Sequence, residues 1–253
     1  MIVIGVPTYD SRMHNQLAMA LLNELYQPDV PQFSVITNHS SLLARGFNEL
    51  YCHALNRRPE VTHFLMIHAD VIPEPGFVGA LYREMERTGA DVLSAVLPLK
   101  DNRGLTSTGL DDPTVEMEPR RISMVEVQQL PETFDSRDVA KLFNDAPNRS
   151  ILLVNSGLML VDIRKPWVEN CWFAINDQML RNGSSKFEPV TESEDWFFSR
   201  RAQELGARVM VTRTVKARHA GEIKFPNWGA WGSHQQDDAD QSTLKKRAEA
   251  AHV

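Results

Sequence analysis

The chain has 253 residues, enough for one large domain or two small ones, and its 42% hydrophobic and 24% charged residues are ordinary for a soluble globular protein. A net charge of −6 gives no electrostatic reason to expect nucleic-acid binding. Cys52 and Cys171 make neither a disulfide framework nor a metal-binding spacing, and there is no signal-peptide pattern and no apolar run long enough to span a bilayer, so a reducing, cytoplasmic location is expected.

Ile2–Val6 reads as a first short strand, broken by Pro7-Thr8-Tyr9-Asp10. Asn15–Leu25 follows as a helix with Leu17, Ala18, Leu21, Leu22 and Leu25 on one face. Phe33–Thr37 is a second strand. Ser40 or Ser41 can cap the next helix, whose apolar stripe is Leu43, Phe47, Leu50, Tyr51 and Ala54. Thr62–Ile67 has the length and apolar content of a buried parallel strand. Phe77–Thr88 is a helix with Val78, Leu81 and Met85 aligned and Gly89 at its C′ position. Asp91–Val96 is a fourth strand. This alternation predicts an α/β fold, a mostly parallel sheet covered by helices on both faces.

The rhythm fails over residues 98–150, where Ile122–Val127 reads as a strand and Asp138–Phe143 as a short helix. That stretch reads as an insertion on the acceptor side. Ile151–Val154 and Leu158–Val161 flank Asn155-Ser156-Gly157, Thr191–Leu205 is a helix, and Ala207–Thr212 is a last strand. The division expected is one domain over 1–221, with a nucleotide-binding half (1–97) and an acceptor-side half (98–221), and a lid or tail over 222–253. There is no G-x-G-x-x-G after the first strand, no phosphate loop and no G-x-S-x-G elbow.

Two constellations carry chemistry. His68-Ala69-Asp70 ends the third strand, where open α/β sheets bind ligands, with two metal-capable residues two apart on one side of the chain. Read alone, the pair is better taken as capping a strand and starting a turn. Glu194-Asp195 opens the later helix. Glu194 reads equally as the capping-box partner of Thr191. Asp195 shares the inward face with Phe198 and Ala202, and the helix dipole favours its ionised form, so it is a candidate general base. His219 follows the last strand, where it is a candidate metal ligand.

In this order the features resemble a nucleotide-sugar glycosyltransferase of the GT-A (Rossmann-like) fold, similar to the large inverting family 2-like group. The likeness runs over roughly residues 1–221. It implies that Pro7, Thr8 and Tyr9 touch the nucleotide base and that Asn38 reads uracil. It places Arg45 and Asn48 in the segment matching A-R-N-x-G, and His68, Ala69 and Asp70 at the D-x-D position. Asn155 and Gly157 belong to the small-residue loop, Glu194 and Asp195 to the E-D motif, and His219 is the third metal contact. Two departures stand out: His68 replaces the first D-x-D carboxylate, and the amide of A-R-G-F-N is displaced.

The resemblance implies a hexosyltransferase-like enzyme that moves a sugar from a nucleoside diphosphate donor, expected to be UDP-linked, to an acceptor hydroxyl with inversion. Asp70 and His219 would ligate a divalent cation, with His68 a further ligand or a neighbour of the diphosphate. Imidazole suits Mn²⁺ better than Mg²⁺, which is the alternative metal. Arg45 and Lys100 are candidate phosphate or nucleotide contacts, with an exposed surface role weighing at least as much for Lys100. Trp228 and Trp231 either form a lid that stacks on a sugar or pack on the body or a second subunit. The acceptor is open: a glycan, a lipid carrier, a protein or a modified DNA base. Competing readings are a sugar-phosphate nucleotidyltransferase and a nucleotide-sugar-binding protein without catalysis. The first lacks its Gly-rich loop and lysine here; the second gains from His68 in place of aspartate.

Overall fold

The computed structural model describes residues 1–111, 119–144, 150–181, 186–221 and 224–232. Its first half runs β1 (Ile2–Thr8), α1 (Asn15–Glu24), β2 (Phe33–His39), α2 (Leu43–Leu55), β3 (His63–Ile67), β4 (Val71–Pro73), α3 (Phe77–Thr88) and β5 (Val92–Ala95). The middle holds β6 (Leu105–Asp111), β7 (Arg120–Ser123), α4 (Met124–Val127), β8 (Thr133–Phe134) and α5 (Ser136–Phe143). Then come β9 (Ile151–Leu153), β10 (Leu158–Asp162), a 3₁₀ turn at Pro166–Asn170, β11 (Asn176–Arg181), β12 (Phe187–Glu192), α6 (Glu194–Glu204), β13 (Val209–Thr212), β14 (Ala217–Ala220) and β15 (Lys224–Pro226). Among the described residues no helix is long and apolar enough to cross a membrane.

Seven strands form the central sheet in the order β2-β1-β3-β10-β5-β13-β8. Successive side chains on a strand point to opposite faces, and here both faces are apolar. Val3, Phe64, Met66, Val92, Met159 and Val211 meet Phe47, Leu50, Tyr51 and Ala54 of α2 and Phe198 and Ala202 of α6. Ile2, Ile4, Leu65, Ile67, Leu93 and Leu160 meet Leu17 and Leu21 of α1 and Val78, Leu81 and Met85 of α3. This is the α/β/α layering, with a mostly parallel sheet, of the GT-A fold that the sequence resembles. β1, β2 and β3 are mutually parallel, as are β5 and β13, while β10 lies antiparallel between β3 and β5. The alternation of the first hundred residues did not foretell that insertion, because β10 arrives from much later in the chain.

Local readings give way where a neighbour competes. Ile122–Val127 is not one strand: Ser123 and Glu126 close a capping box, which ends β7 and starts α4. Thr191 does not cap α6. It lies in β12 and donates to Asp177 Oδ1 at 2.6 Å, so the N-cap position falls to Ser193. The cap position of α2 is Leu42, without a side-chain cap; Ser40 Oγ instead bonds the Leu42 backbone. On α1, Leu22 and Leu25 are exposed while Glu24 is buried.

That burial has a purpose. Glu24 accepts from the amides of Gly76 and Val78, the latter at 3.1 Å, and so caps α3 from the end of α1. At its other end α3 stops at Gly89, whose φ of 67° suits glycine. Burial raises the Glu24 pKa, and the backbone amides oppose that only in part. Glu24→Ala should destabilise the fold by about 1–2 kcal/mol, the cost of losing a helix cap. Urea unfolding of the variant checks this; an unmoved midpoint would remove Glu24 from the capping role.

Candidate functional site

β3 ends where the chain kinks. The His68 amide donates to Gly157 O at 2.9 Å and the Val71 amide to His68 O at 3.0 Å, which turns the backbone out of the central sheet. It re-enters order at once as β4, the edge of a small antiparallel sheet β15-β14-β4. The pairing His219↔Val71 and the bond from the Ala220 amide to Asp70 O set β14 beside the kink. Asp70 and His219, 149 positions apart in sequence by subtraction of their numbers, therefore become neighbours.

His219 Nδ1 lies 2.8 Å from Pro98 O. A carbonyl only accepts, so Nδ1 carries a hydrogen, and Nε2 is turned to Asp70 Oδ1 at 3.7 Å. The second Asp70 oxygen, Oδ2, accepts from Lys100 Nζ at 2.6 Å. Burial would raise the Asp70 pKa, but His219 and Lys100 outweigh it and hold the carboxyl well below the usual carboxylate range. His68 Nε2 lies 3.1 Å from Ser156 Oγ, and its ring tilts against Phe47 with centroids 5.1 Å apart. Burial depresses its pKa to about 4, so the imidazole is neutral at pH 7.

A cleft of about 460 Å³ opens beside this group. Its wall takes Pro7, Thr8 and Tyr9 from the end of β1, Asn38 from β2, Gly46 and Phe47 from α2, His68, Ala69 and Asp70 from the kink, and Ala220 and Gly221 from β14. Asp10, Arg12, His14, Ser40 and Ser41 also line it. These five escaped the sequence reading: they lie in loops without periodicity, and only closeness to the strand ends marks them. Within the wall, Thr8 Oγ1 donates to Asn38 O. Asn38 Nδ2 donates to Gly46 O at 2.7 Å and to Glu49 at 3.2 Å, which leaves its buried Oδ1 without a partner.

Two residues expected at the nucleotide are committed elsewhere. Asn48 binds the Phe173 backbone with both polar atoms, at 2.7 and 2.9 Å, and does not line the cleft. The displaced amide of A-R-G-F-N thus clamps a loop to α2. Arg45 pairs with Glu49 at 3.0 Å on an exposed turn of α2, also off the cleft.

Asp195 sits at the start of α6. Its Oδ1 accepts from Ser193 Oγ and from the Trp196 amide at 2.8 Å. Ser199, one turn on, donates to Asp195 O and to Val154 O, which ties α6 to the loop carrying Ser156 and hence to His68. Neither Asp195 nor Glu194 lines the cleft described above. Contrary to the helix-dipole expectation, the Asp195 pKa is raised: burial outweighs the Ser193 and Trp196 hydrogen bonds and the charge of Arg121. Glu194 is pushed up to about 7 by burial and by the charge of Asp195. Glu194 is thereby suited to exchange a proton near neutral pH, and Asp195 is shifted in the same direction.

In the small-residue loop, Asn155 is buried and donates to Ala95 O at 2.9 Å, and a Cβ on Gly157 would come 2.6 Å from Leu97 Cδ1. Trp231 is packed: it stacks on Phe225 at 5.6 Å and donates to Pro226 O at 2.9 Å. Its carbonyl lies against Gly104, where a Cβ would meet it at 2.0 Å. Trp228 is 37% exposed beneath Arg218, whose guanidinium lies 5.2 Å from the ring.

A divalent cation can be tested against these donors. Asp70 Oδ1 and His219 Nε2, 3.7 Å apart, are within the span of two ligands held at about 2.1 Å from one ion. The Pro98 carbonyl fixes the imidazole as metal-binding histidines are commonly fixed. Among the described residues no group of three His, Cys, Asp or Glu side chains could hold a metal. The pair fits a cation that draws its other ligands from a bound phosphate and water.

No family model and no curated protein matches the sequence. Among solved structures, A197 from STIV shares the fold at a TM-score of 0.52 and 13% identity, over 87% of this chain and 85% of that one. S. aureus TarS 1–349 aligns at a TM-score of 0.45 and 12% identity, over 84% of this chain and 58% of its own. TarS 1–349 in complex with UDP-GlcNAc aligns at 0.47 and 10%, over 98% of this chain and 66% of its own. The chain thus spans less than two thirds of either TarS chain.

The burial of His68 has a consequence for stability. Its folded pKa lies below the unfolded value of 6.5, so its contribution is full above pH 6.5 and is lost as pH falls toward about 4. Ring ¹⁵N shifts should report a neutral imidazole from pH 7 down to pH 5. A titration midpoint above 6 would contradict the burial argument.

Proposed function

We propose that the chain is a glycosyltransferase that takes a sugar from a nucleoside diphosphate donor, most favourably a UDP sugar, and passes it to an acceptor hydroxyl. The observation that carries this reading is the convergence on one cleft of the ends of β1, β2, β3 and β14, with Asp70 in its wall and His219 beside Asp70. Clefts of this volume suit small polar ligands, and strand carboxyl ends are where α/β sheets bind them.

In this reading Pro7, Thr8 and Tyr9 flank the base. Asn38 lines the cleft at the end of β2, and its amide can pair with the uracil edge. Asp70 and His219 would hold a Mn²⁺ or Mg²⁺ ion against the diphosphate; bound there, the ion offsets negative charge on the leaving group. His68, neutral and tied to Ser156, shapes the floor beside Asp70 without adding charge.

Asp195 is the proposed base. Its Oδ1 is fixed by Ser193 and Trp196, which leaves Oδ2 to take the acceptor's proton. The acceptor oxygen bonds to the anomeric carbon as the carbon–oxygen bond to the diphosphate breaks, and the diphosphate leaves with the electron pair. Attack from the face opposite the diphosphate inverts that carbon. Beside Asp195, Glu194 is itself pushed up to about 7 by burial and by its neighbour's charge. Trp228, the more exposed tryptophan, remains able to meet a sugar.

Thermal-shift titration with Mn²⁺ should rank UDP above GDP and CMP; a clear preference for GDP removes Asn38 from the base-reading role. Asp70→Asn and His219→Ala should each weaken Mn²⁺-dependent UDP binding. Unchanged binding in both variants would end the metal assignment.

Asp195→Asn should lower transfer by about 10²–10⁴-fold, the usual worth of a general base, while UDP binding holds. Glu194→Gln should lower it less. Retained activity in Asp195→Asn, or retention at the anomeric carbon, overturns the base assignment. A chain that binds UDP sugars and turns none over, across a range of acceptors, is instead a binding protein.

A further inference from the structure

Lys100 holds the place beside Asp70 that a bound cation would contest. Its ammonium lies 2.6 Å from Asp70 Oδ2, while His219 faces Oδ1. The arrangement is built from the backbone. Leu99 pairs with Leu105 through its amide, and Pro98 bridges Thr106, which fixes the segment just before Lys100. The same segment supplies the Pro98 carbonyl that orients His219. On the other side Gly221 meets the lysine stem: a Cβ there would lie 3.3 Å from Lys100 Cβ and 3.6 Å from Cδ. The stem thus lies against Gly221, just past β14, with its ammonium on Asp70. The Lys100 side chain is 43% exposed and that of Asp70, which lines the cleft, 38%, so both meet solvent.

We propose that Lys100 is an exchangeable counter-ion: it neutralises Asp70 in the empty site, competes there with a divalent cation, and moves onto a diphosphate oxygen when the donor binds. The proposal rests on the nucleoside diphosphate reading above. Its physical basis is charge. Asp70 is held ionised in a partly buried place, and an unpaired carboxylate there is costly. A lysine ammonium is a mobile point charge that binds phosphate as readily as carboxylate. A dication arriving at Asp70 repels the ammonium, and the incoming diphosphate offers it a new partner within the reach of the same stem.

Lys100→Met keeps the stem on Gly221 and removes the charge; Lys100→Gln is a second variant in case the first fails to fold. Mn²⁺ binding to the nucleotide-free protein, read by electron paramagnetic resonance, should tighten by about fivefold in either variant, the factor an exposed ion pair of ordinary strength gives. UDP binding in the presence of a chelator, read by calorimetry, should weaken by a similar factor. Unchanged or weaker Mn²⁺ binding overturns the competition, and so does a failure of Mn²⁺ to bind any of the three proteins. Unchanged UDP binding in the variants, with the native chain binding UDP, overturns the exchange and leaves the donor reading intact. A native chain that binds no nucleoside diphosphate fails the donor reading itself, and the exchange with it.

Discussion

The turn at His68-Ala69-Asp70 is held by its backbone at four points. The His68 amide bonds Gly157 O, the Val71 amide closes onto His68 O, Ala69 O accepts from His14, and Asp70 O accepts from Ala220. These partners come from four separate stretches of chain: the loop before β10, the turn itself, the N-cap of α1, and β14. Val71 and Gly157 are buried, where an unmade hydrogen bond is expensive, while His14, His68, Ala69, Asp70 and Ala220 are half-buried. Everything at the candidate site is placed by the turn. Asp70 meets His219 because β14 must pair with β4, and His68 meets Ser156 because Gly157 must accept from its amide.

The antiparallel strand β10 is the second constraint. It lies between β3 and β5 and pairs with both, so the two halves of the chain share one sheet. The loop before it, Asn155-Ser156-Gly157, is thereby brought to the carboxyl end of β3. Ser199 of α6 bonds to Val154 in the same region, which carries Asp195 toward that end of the sheet. The link between His68 and the start of α6 is thus a chain of hydrogen bonds through the loop before the central strand β10.

Charge in the site follows burial more than dipoles. Asp70 stays ionised because two cationic or imidazole neighbours overcome its desolvation. At Asp195 desolvation outweighs the Ser193 and Trp196 hydrogen bonds and the charge of Arg121, at Glu194 the charge of Asp195 adds to desolvation, and both pKa values rise. Two acidic positions that look alike on paper are driven in opposite directions, which suits one to hold a cation and the other to take a proton.

The sequence by itself determined most of the repeating strands and helices of the first hundred residues, since β1, β2, β3, β5 and α1 to α3 follow local periodicity and turn chemistry, whereas β4 was not marked. Phe77–Thr88 with Gly89 is legible to the residue because helix stripe and glycine stop are both short-range signals. It also marked His68, Asp70, Asp195 and His219 as a set, through their order. Only the tertiary structure decided that β10 enters antiparallel, that Thr191 belongs to a hairpin, and that Asn48 serves the Phe173 loop. It alone decided that Lys100 reaches Asp70. The physical reason is range: a strand's period and a helix's caps are set by residues a few positions apart. The partner of a buried amide or carboxylate is whatever the closed sheet brings within 3 Å, from anywhere in the chain.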